Sequence, residues 1–155
     1  MLFRSLAIGV PDEDLETDTD TFFGVGAVHV VFGGPLGLQP DGERVVLMSE
    51  LASIASGLAF GAALVVGDFD GDGLDDLVVG APQAIGGSGF VVRYFGADLE
   101  LGERLDIGDM SALSPAPNDA FGVALAARDF DGDGLDDLAG VGGAGQTFVM
   151  PNRCR

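Results

Sequence analysis

One internal repeat constrains the fold of this chain more than any other feature of the sequence. The segment that begins at Phe60 reads FGAALVVGDFDGDGLDDLVVG, and the segment that begins at Phe121 reads FGVALAARDFDGDGLDDLAGV. Both contain the run DFDGDGLDDL without a single difference. The period from Phe60 to Phe121 is 61 residues, and similarity at a fixed period is the sequence signature of a repeat architecture.

Short apolar runs within each unit predict β-strands. The runs are about five to seven residues long, are rich in Val, Leu and Phe, and are bounded by Gly, Pro and Asp, as is typical of strands. Several are apolar at successive residues, which indicates a sheet with both faces covered. The strands predicted in the unit from Phe60 are Phe60–Val66, Leu77–Gly80, Phe90–Phe95 and Arg104–Ile107.

Repeated four-stranded units predict an all-β fold made of the antiparallel four-stranded blades of a β-propeller. A β-sandwich is the alternative, but it explains the strands without the period. The 155 residues hold about 2.5 blades, whereas closed propellers have roughly four to eight, so we expect an incomplete ring. The predicted parts are residues 1–50 as a blade without strand one, 60–108 as a complete blade, and 121–150 as a blade without strand four.

The acidic run of each copy has the composition of a cation-binding loop. Carboxylates fall at loop positions one, three, five and nine, position seven can offer its carbonyl, and two glycines allow the positive φ that a tight loop needs. Clustered carboxylates repel unless a cation lies among them, and hard oxygen ligands favour Ca²⁺, so two Ca²⁺ sites are predicted. Their ligands are Asp68, Asp70, Asp72, Leu74 and Asp76 in one loop, and Asp129, Asp131, Asp133, Leu135 and Asp137 in the other.

Two other interpretations of these loops were considered. An EF-hand requires a Glu at position twelve between two helices, but that position holds Val79 or Gly140 and the flanks are predicted strands. A solvated, metal-free Asp-rich turn is the simpler alternative, although turn propensity does not explain two identical copies.

Asp75 and Asp136, at position eight, are expected to face water or to cap neighbouring amides.

These residues together resemble a known repeat. Phe60-Gly61 and Gly80-Ala81-Pro82 bracket DFDGDGLDDL, and a GxVxxxFG strand follows. The pattern is similar to the FG-GAP repeat of integrin α-subunit propellers and related bacterial surface proteins. The resemblance implies a seven-bladed propeller, the same ten Ca²⁺ ligands between strands one and two, and a role in adhesion or extracellular recognition. The sequence departs from the pattern at Arg4-Ser5, where the first unit lacks the acidic loop, and at Gly142-Gly143, where the third unit lacks Ala-Pro.

The composition of the chain excludes some classes of binding partner and indicates its location. A formal charge of −18 argues against nucleic acid, whose affinity comes largely from Lys and Arg on phosphates. The apolar runs are too evenly interrupted for membrane insertion. The single cysteine, Cys154, cannot form an internal disulfide, and no signal peptide is visible. With calcium as the cofactor, the expected location is extracellular or at the cell surface.

Catalysis is not expected, because the sequence offers no nucleophile paired with a base. The first hypothesis is a calcium-binding scaffold whose partners are an extracellular protein or glycan, together with the rest of a larger propeller or a second copy. A third acidic segment, Asp12–Asp20, is a candidate for partner or weak cation binding. The alternatives are a non-catalytic accessory propeller of a secreted enzyme, such as a polysaccharide lyase or hydrolase, and a carbohydrate-binding propeller.

Overall fold

A computed structural model describes residues 5–39, 44–47, 55–96, 100–106, 117–142, 145 and 147–150. Arg4, Ile107, Gly143 and Cys154 lie outside these ranges. The regular elements of the described residues are strands, apart from one short helical turn, α1 (Ala84–Gly87). The strands are β1 (Leu6–Val10), β2 (Leu15–Glu16), β3 (Thr21–Phe22), β4 (Ala27–Val31), β5 (Gly33–Gly34), β6 (Gly37–Leu38), β7 (Arg44–Leu47), β8 (Leu64–Gly67), β9 (Asp76–Ala81), β10 (Phe90–Phe95), β11 (Glu100–Asp106), β12 (Ala124–Arg128), β13 (Asp137–Val141) and β14 (Thr147–Met150).

Three antiparallel sheets contain most of these strands. The middle sheet has the order β11-β10-β9-β8, which is the predicted four-stranded meander. The first sheet has the order β1-β4-β7 and the third has the order β12-β13-β14. The pairs β2-β3 and β5-β6 are small hairpins within the connections of the first sheet. The all-β fold class with antiparallel propeller blades is confirmed, while the exact domain boundaries remain predictions.

The strand boundaries differ most from the prediction at two places. β8 begins at Leu64 rather than Phe60, because the chain turns at Gly61, which has a φ of 91°, and the Ala62 amide donates to the Ala59 carbonyl at 3.1 Å. β11 begins four residues before the predicted Arg104, at Glu100. β10 matches its predicted range, and β9 is one residue longer at each end.

Neighbouring sheets meet at the Phe-Gly turns that precede β8 and β12. Phe60 and Phe121 are completely buried. The Phe60 amide donates to the Val25 carbonyl at 3.0 Å, and the Phe121 amide donates to the Ser88 carbonyl at 2.9 Å. Each turn is thereby bonded to the sheet that comes before it in the chain.

A glycine of the preceding sheet makes room for each of these turns. A Cβ atom at Gly9, in β1, would overlap the carbonyl oxygen of Gly61. A Cβ atom at Gly80, in β9, would overlap the carbonyl oxygen of Gly122 in the same way. The two contacts between sheets therefore repeat one geometry. At the corresponding position, one 61-residue period after Gly80, the third sheet has Val141, which pairs with Ala124.

Two apolar clusters lie on the opposite faces of the middle sheet. Val79 and Tyr94 pack toward the first sheet, against residues that include Val28 and Phe60. Val78 and Val91 pack in the second cluster, toward the third sheet. Because successive residues of β9 point to opposite faces, both must be apolar, which is why its sequence does not alternate. The second cluster is Phe69, Val78, Val91, Phe121, Leu138 and Phe148.

We predict that Gly80→Ala destabilises the chain by about 1–3 kcal/mol, because the added methyl group must displace backbone rather than a flexible side chain. Urea unfolding followed by circular dichroism measures the change. The matched control is Val141→Ala in β13, where the native side chain is 38% exposed and the expected change is about 0.5 kcal/mol. Equal losses in the two variants would contradict the close-approach explanation.

A second pair of variants tests the packing between the middle and third sheets. Phe69 and Phe130 occupy position two of the identical loops, but Phe69 is 3% exposed within the second cluster and Phe130 is 51% exposed. We predict that Phe69→Ala costs about 3–5 kcal/mol, as is usual for a buried Phe. Phe130→Ala should cost less than about 1 kcal/mol in the same unfolding experiment. A large loss for Phe130→Ala would show that loop sequence, not burial, sets the cost.

Candidate metal centre

The two acidic loops connect the first and second strands of their sheets, β8 to β9 and β12 to β13. The carboxylate at position one organises each loop. Asp68 Oδ1 accepts a hydrogen bond from the Gly71 amide at 2.7 Å, and Asp68 Oδ2 accepts one from the Gly73 amide at 3.0 Å. Asp129 bonds the amides of Gly132 and Gly134 at 2.6 and 3.0 Å.

The glycines at positions four and six are required by the backbone conformation. Gly71 and Gly73 have φ of 81° and 82°, and their counterparts in the second loop have φ of 84° and 93°. Side chains other than glycine are strained at such angles. The prediction that these glycines adopt positive φ is confirmed in both loops.

The carboxylates at positions three and five continue the same pattern. Asp70 Oδ1 accepts a bond from the Asp72 amide at 3.1 Å, and Asp72 Oδ1 accepts one from the Leu74 amide at 2.7 Å. The second loop repeats both bonds, at 3.1 and 2.9 Å. Each of these bonds uses the Oδ1 atom of its carboxylate. Within the described loop, no backbone amide donates a bond of this kind to Oδ2 of Asp70 or Asp72.

Each loop brings three carboxylates together. Oxygens of Asp68, Asp70 and Asp72 lie within 4.8 Å of one another, and so do oxygens of Asp129, Asp131 and Asp137. The first group does not include Asp76, and the second does not include Asp133. The part played by these two carboxylates and by the Leu74 and Leu135 carbonyls stays a prediction. Three negative charges this close repel, which favours a cation among them.

Asp76 supplies an independent sign that the first loop fits a cation. The side chain is 1% exposed, its Oδ1 accepts a bond from the Gly96 amide at 2.8 Å, and its Oδ2 has no hydrogen-bond partner among the described residues. Burial raises the pKa of Asp76, and the charge of Asp70 raises it further, against the lowering effect of the Gly96 amide. A buried carboxylate oxygen without a donor is costly unless a cation or proton satisfies it. An all-oxygen donor set suits Ca²⁺.

Asp137, the equivalent residue of the second loop, is also buried. Its Oδ2 accepts a hydrogen bond from the Phe130 amide at 2.8 Å. Because Phe130 lies between the first two carboxylates of that loop, this bond holds the start of the loop against its end.

The two residues at position eight have different environments. Asp75 is exposed. Asp136 is half-buried, and its Oδ2 accepts a hydrogen bond from the Asp68 amide at 3.1 Å. The expectation that such residues cap neighbouring amides is confirmed for Asp136, although the amide belongs to the other loop, which sequence reasoning did not anticipate.

The third acidic segment, Asp12–Asp20, is a hairpin rather than a third loop of this kind. Its acidic side chains are exposed, and Thr17 Oγ1 donates to the Asp20 carbonyl at 2.9 Å. Asp14 Oδ1 accepts a bond from the Gly24 amide at 2.8 Å. No group of three close carboxylates occurs in this segment, all of which the structure describes. A role for it in partner binding stays a prediction.

Comparison with known proteins identifies the repeat. The family model of the FG-GAP repeat matches residues 60–92, which contain the buried Phe60-Gly61 turn, the first acidic loop and the β9–β10 hairpin. Residues 60–92 of this chain are an FG-GAP repeat. The matched residues cover β8, β9 and the start of β10 in the middle sheet, the one for which the structure describes all four strands.

The relatives of this FG-GAP chain include integrins and a phospholipase. It is 36% identical over 133 residues to phosphatidylinositol-glycan-specific phospholipase D of Rattus norvegicus, which covers 75% of the chain. It is 35% identical over 135 residues to integrin alpha-PS5 of Drosophila melanogaster and 36% identical over 104 residues to integrin alpha-4 of Xenopus laevis, which cover 82% and 63% of the chain. The matches span only 14%, 12% and 10% of these relatives.

These relatives show an FG-GAP propeller segment of the integrin α-like type. One of them carries the name of an enzyme, so the absence of catalysis in this chain stays a prediction. In the described ranges, no helix has both the length and the hydropathy needed to cross a membrane.

We predict opposite effects of Asp76→Asn with and without calcium. The raised pKa means that the folded, calcium-free chain binds the Asp76 proton more tightly than the unfolded chain does. The stability gained from this proton is fully present below the ordinary pKa of 3.8 and is lost as the pH rises through the raised pKa. At pH 7 in EDTA, the neutral Asn should therefore raise the melting temperature.

In millimolar Ca²⁺ the same variant should lower the melting temperature relative to the native chain, because a predicted ligand of the cation is lost. Differential scanning calorimetry in both buffers measures the two effects. Asp75→Asn makes the same charge change at an exposed position and should shift neither melt. A change of the same sign for Asp76→Asn in both buffers would contradict the assignment.

Proposed function

We propose that this chain is a calcium-stabilised FG-GAP propeller segment that serves as an extracellular adhesion or ligand-recognition scaffold. The observation that carries the proposal is the group of three carboxylates in each loop, together with the buried Asp76 Oδ2 of the first loop, which has no hydrogen-bond partner among the described residues. The mutual repulsion of these groups makes the metal-free loops costly to hold in the observed shape.

The position of Phe69 explains how calcium would matter beyond the loop itself. Phe69 lies between Asp68 and Asp70, and its ring is buried in the cluster between the middle and third sheets. A loop held by its ligands keeps this ring in place, so cation binding supports the packing of one sheet on the next. Calcium in this proposal orders the chain and does not activate water, because the oxygens around it come from the protein.

The proposed location is extracellular, because calcium modules there bind the ion weakly. Extracellular calcium modules work with dissociation constants of roughly 10⁻⁴–10⁻³ M, which suits calcium outside cells. A protein or glycan ligand fits this setting. The formal charge of −18 argues against nucleic acid as that ligand.

A second candidate function is an accessory propeller of a secreted enzyme, with the catalytic residues outside this chain. The observation that favours it is the match to phosphatidylinositol-glycan-specific phospholipase D over 75% of the chain. A carbohydrate-binding propeller has less support. The chain has no tryptophan, and its single tyrosine, Tyr94, is completely buried and cannot stack on a sugar.

Calcium removal tests the proposed function directly. At a free Ca²⁺ concentration 100 times the dissociation constant, a single site adds about 2.7 kcal/mol to the free energy of unfolding. We therefore predict that EDTA lowers the melting temperature and that added Ca²⁺, but not the same concentration of Na⁺, restores it. An unchanged melt would overturn the proposal.

A double variant with a matched control assigns the effect to the loops. Asp70→Ala combined with Asp131→Ala should abolish the calcium-dependent shift, because one carboxylate is removed from each group. Asp12→Ala combined with Asp18→Ala changes the net charge equally in the exposed hairpin and should leave the shift intact. Loss of the shift in the control would indicate diffuse charge screening and not a site.

A further inference from the structure

The two acidic loops are bonded to each other through Asp136. The Asp136 amide donates to the Asp68 carbonyl at 3.0 Å, and Asp136 Oδ2 accepts from the Asp68 amide at 3.1 Å. One residue of the second loop thus engages both backbone polar groups of the first ligand position of the first loop. The residues are 68 positions apart in the chain.

Glycine makes this contact possible. A Cβ atom at Gly67 would lie 2.7 Å from Asp136 Oδ2 and 2.9 Å from the Asp136 Cβ. The equivalent residue of the second copy is Arg128, which pairs with Asp137 as Gly67 pairs with Asp76. The identical loops are therefore preceded by different residues, and only the first has room for an aspartate from a neighbouring sheet.

A second contact joins the loops beside this pair. A Cβ atom at Gly71 would lie 2.9 Å from Leu135 Cδ2, so the Leu135 side chain covers the tight turn of the first loop. Leu135, Asp136 and Asp137 are consecutive, and the first and last of them are predicted ligands of the second loop. Residues 135–137 thus complete the predicted second cation site and also hold Asp68, the first predicted ligand of the first site.

We propose that the two cation sites are coupled, so that Ca²⁺ in one loop strengthens Ca²⁺ binding in the other, and that Asp136 is the residue that couples them. The inference rests on the proposed function. Asp68 cannot be fixed without restricting Asp136, and Asp136 cannot be fixed without restricting its neighbours in the second loop. The second Ca²⁺ therefore binds to a chain that is already partly ordered and loses less conformational entropy on binding. By linkage, each site raises the affinity of the other by the same factor.

The coupling proposed here comes from the hydrogen bonds of Asp136 and not from its charge. Two bound dications repel each other, which alone would weaken the second binding event. The Asp136 carboxylate at the contact between the loops attracts each dication, which raises the affinity of both sites but does not change the repulsion between the ions. Asp75, the matched residue of the first loop, is exposed and has no comparable position between loops.

Isothermal titration with CaCl₂ measures the coupling. The measurement does not require assigning each association constant of the native chain to a particular loop. The coupling factor is the product of the two macroscopic association constants of the native chain, divided by the product of the single-loop constants. The single-loop chains are Asp70→Ala/Asp72→Ala, which silences the first loop and leaves Asp68 intact, and Asp129→Ala/Asp131→Ala, which silences the second. We expect a factor of about five or more in the native chain.

The same three titrations repeated in the Asp136→Ala background should give a factor below about two. The Asp75→Ala background removes an equal charge and should preserve the native factor. Gly67→Ala is a second variant that displaces the Asp136 side chain without removing a carboxylate, and it should also reduce the factor. Because the factor is a ratio within one background, a uniform loss of stability does not change it.

The outcomes separate the coupling from the proposed function. A native factor near one, with two sites still filled, would overturn the coupling and leave the proposed function standing. A native factor preserved in both Asp136→Ala and Gly67→Ala would overturn the role of Asp136. No binding of Ca²⁺ to the native chain would overturn the proposed function and the coupling with it.

Discussion

The packing of one sheet on the next depends on a backbone contact that tolerates no side chain. The Phe-Gly turn before one sheet approaches a glycine of the preceding sheet: Gly61 approaches Gly9 in β1, and Gly122 approaches Gly80 in β9. Dense packing of this kind transmits small changes in volume. The carbonyl oxygen of each turn glycine occupies the space that the strand glycine leaves, and the phenylalanine before it is buried. The Phe and Gly of the repeat therefore act together.

The acidic loops add a second constraint, which is electrostatic. Their carboxylates are held close by bonds to the loop's own amides, and this geometry concentrates negative charge. The loops are also tied to the core and to each other, through Phe69 and through Asp136. A cation that relieves the repulsion therefore acts on the packing between sheets as well as on the loop.

Much of this architecture could be predicted from residues that repeat. The four-stranded meander follows from apolar runs bounded by Gly, Pro and Asp, and the loop shape follows from glycines at positions four and six. The error at Phe60 has a clear cause. Phe and the apolar residues after it have high strand propensity, but Phe60 is buried in a turn against the preceding sheet, and tertiary packing overrides local preference there.

The sequence by itself determined the period, the all-β class and the positions of the two acidic loops, because these depend on local patterns of polarity and glycine. Only the tertiary structure decided which copies of a repeated residue differ in environment. Phe69 is buried and Phe130 is exposed, and Asp136 bonds the other loop while Asp75 faces water. Identical residues differ in this way because burial and hydrogen bonding depend on what the neighbouring sheet places against them, and no single repeat contains that information.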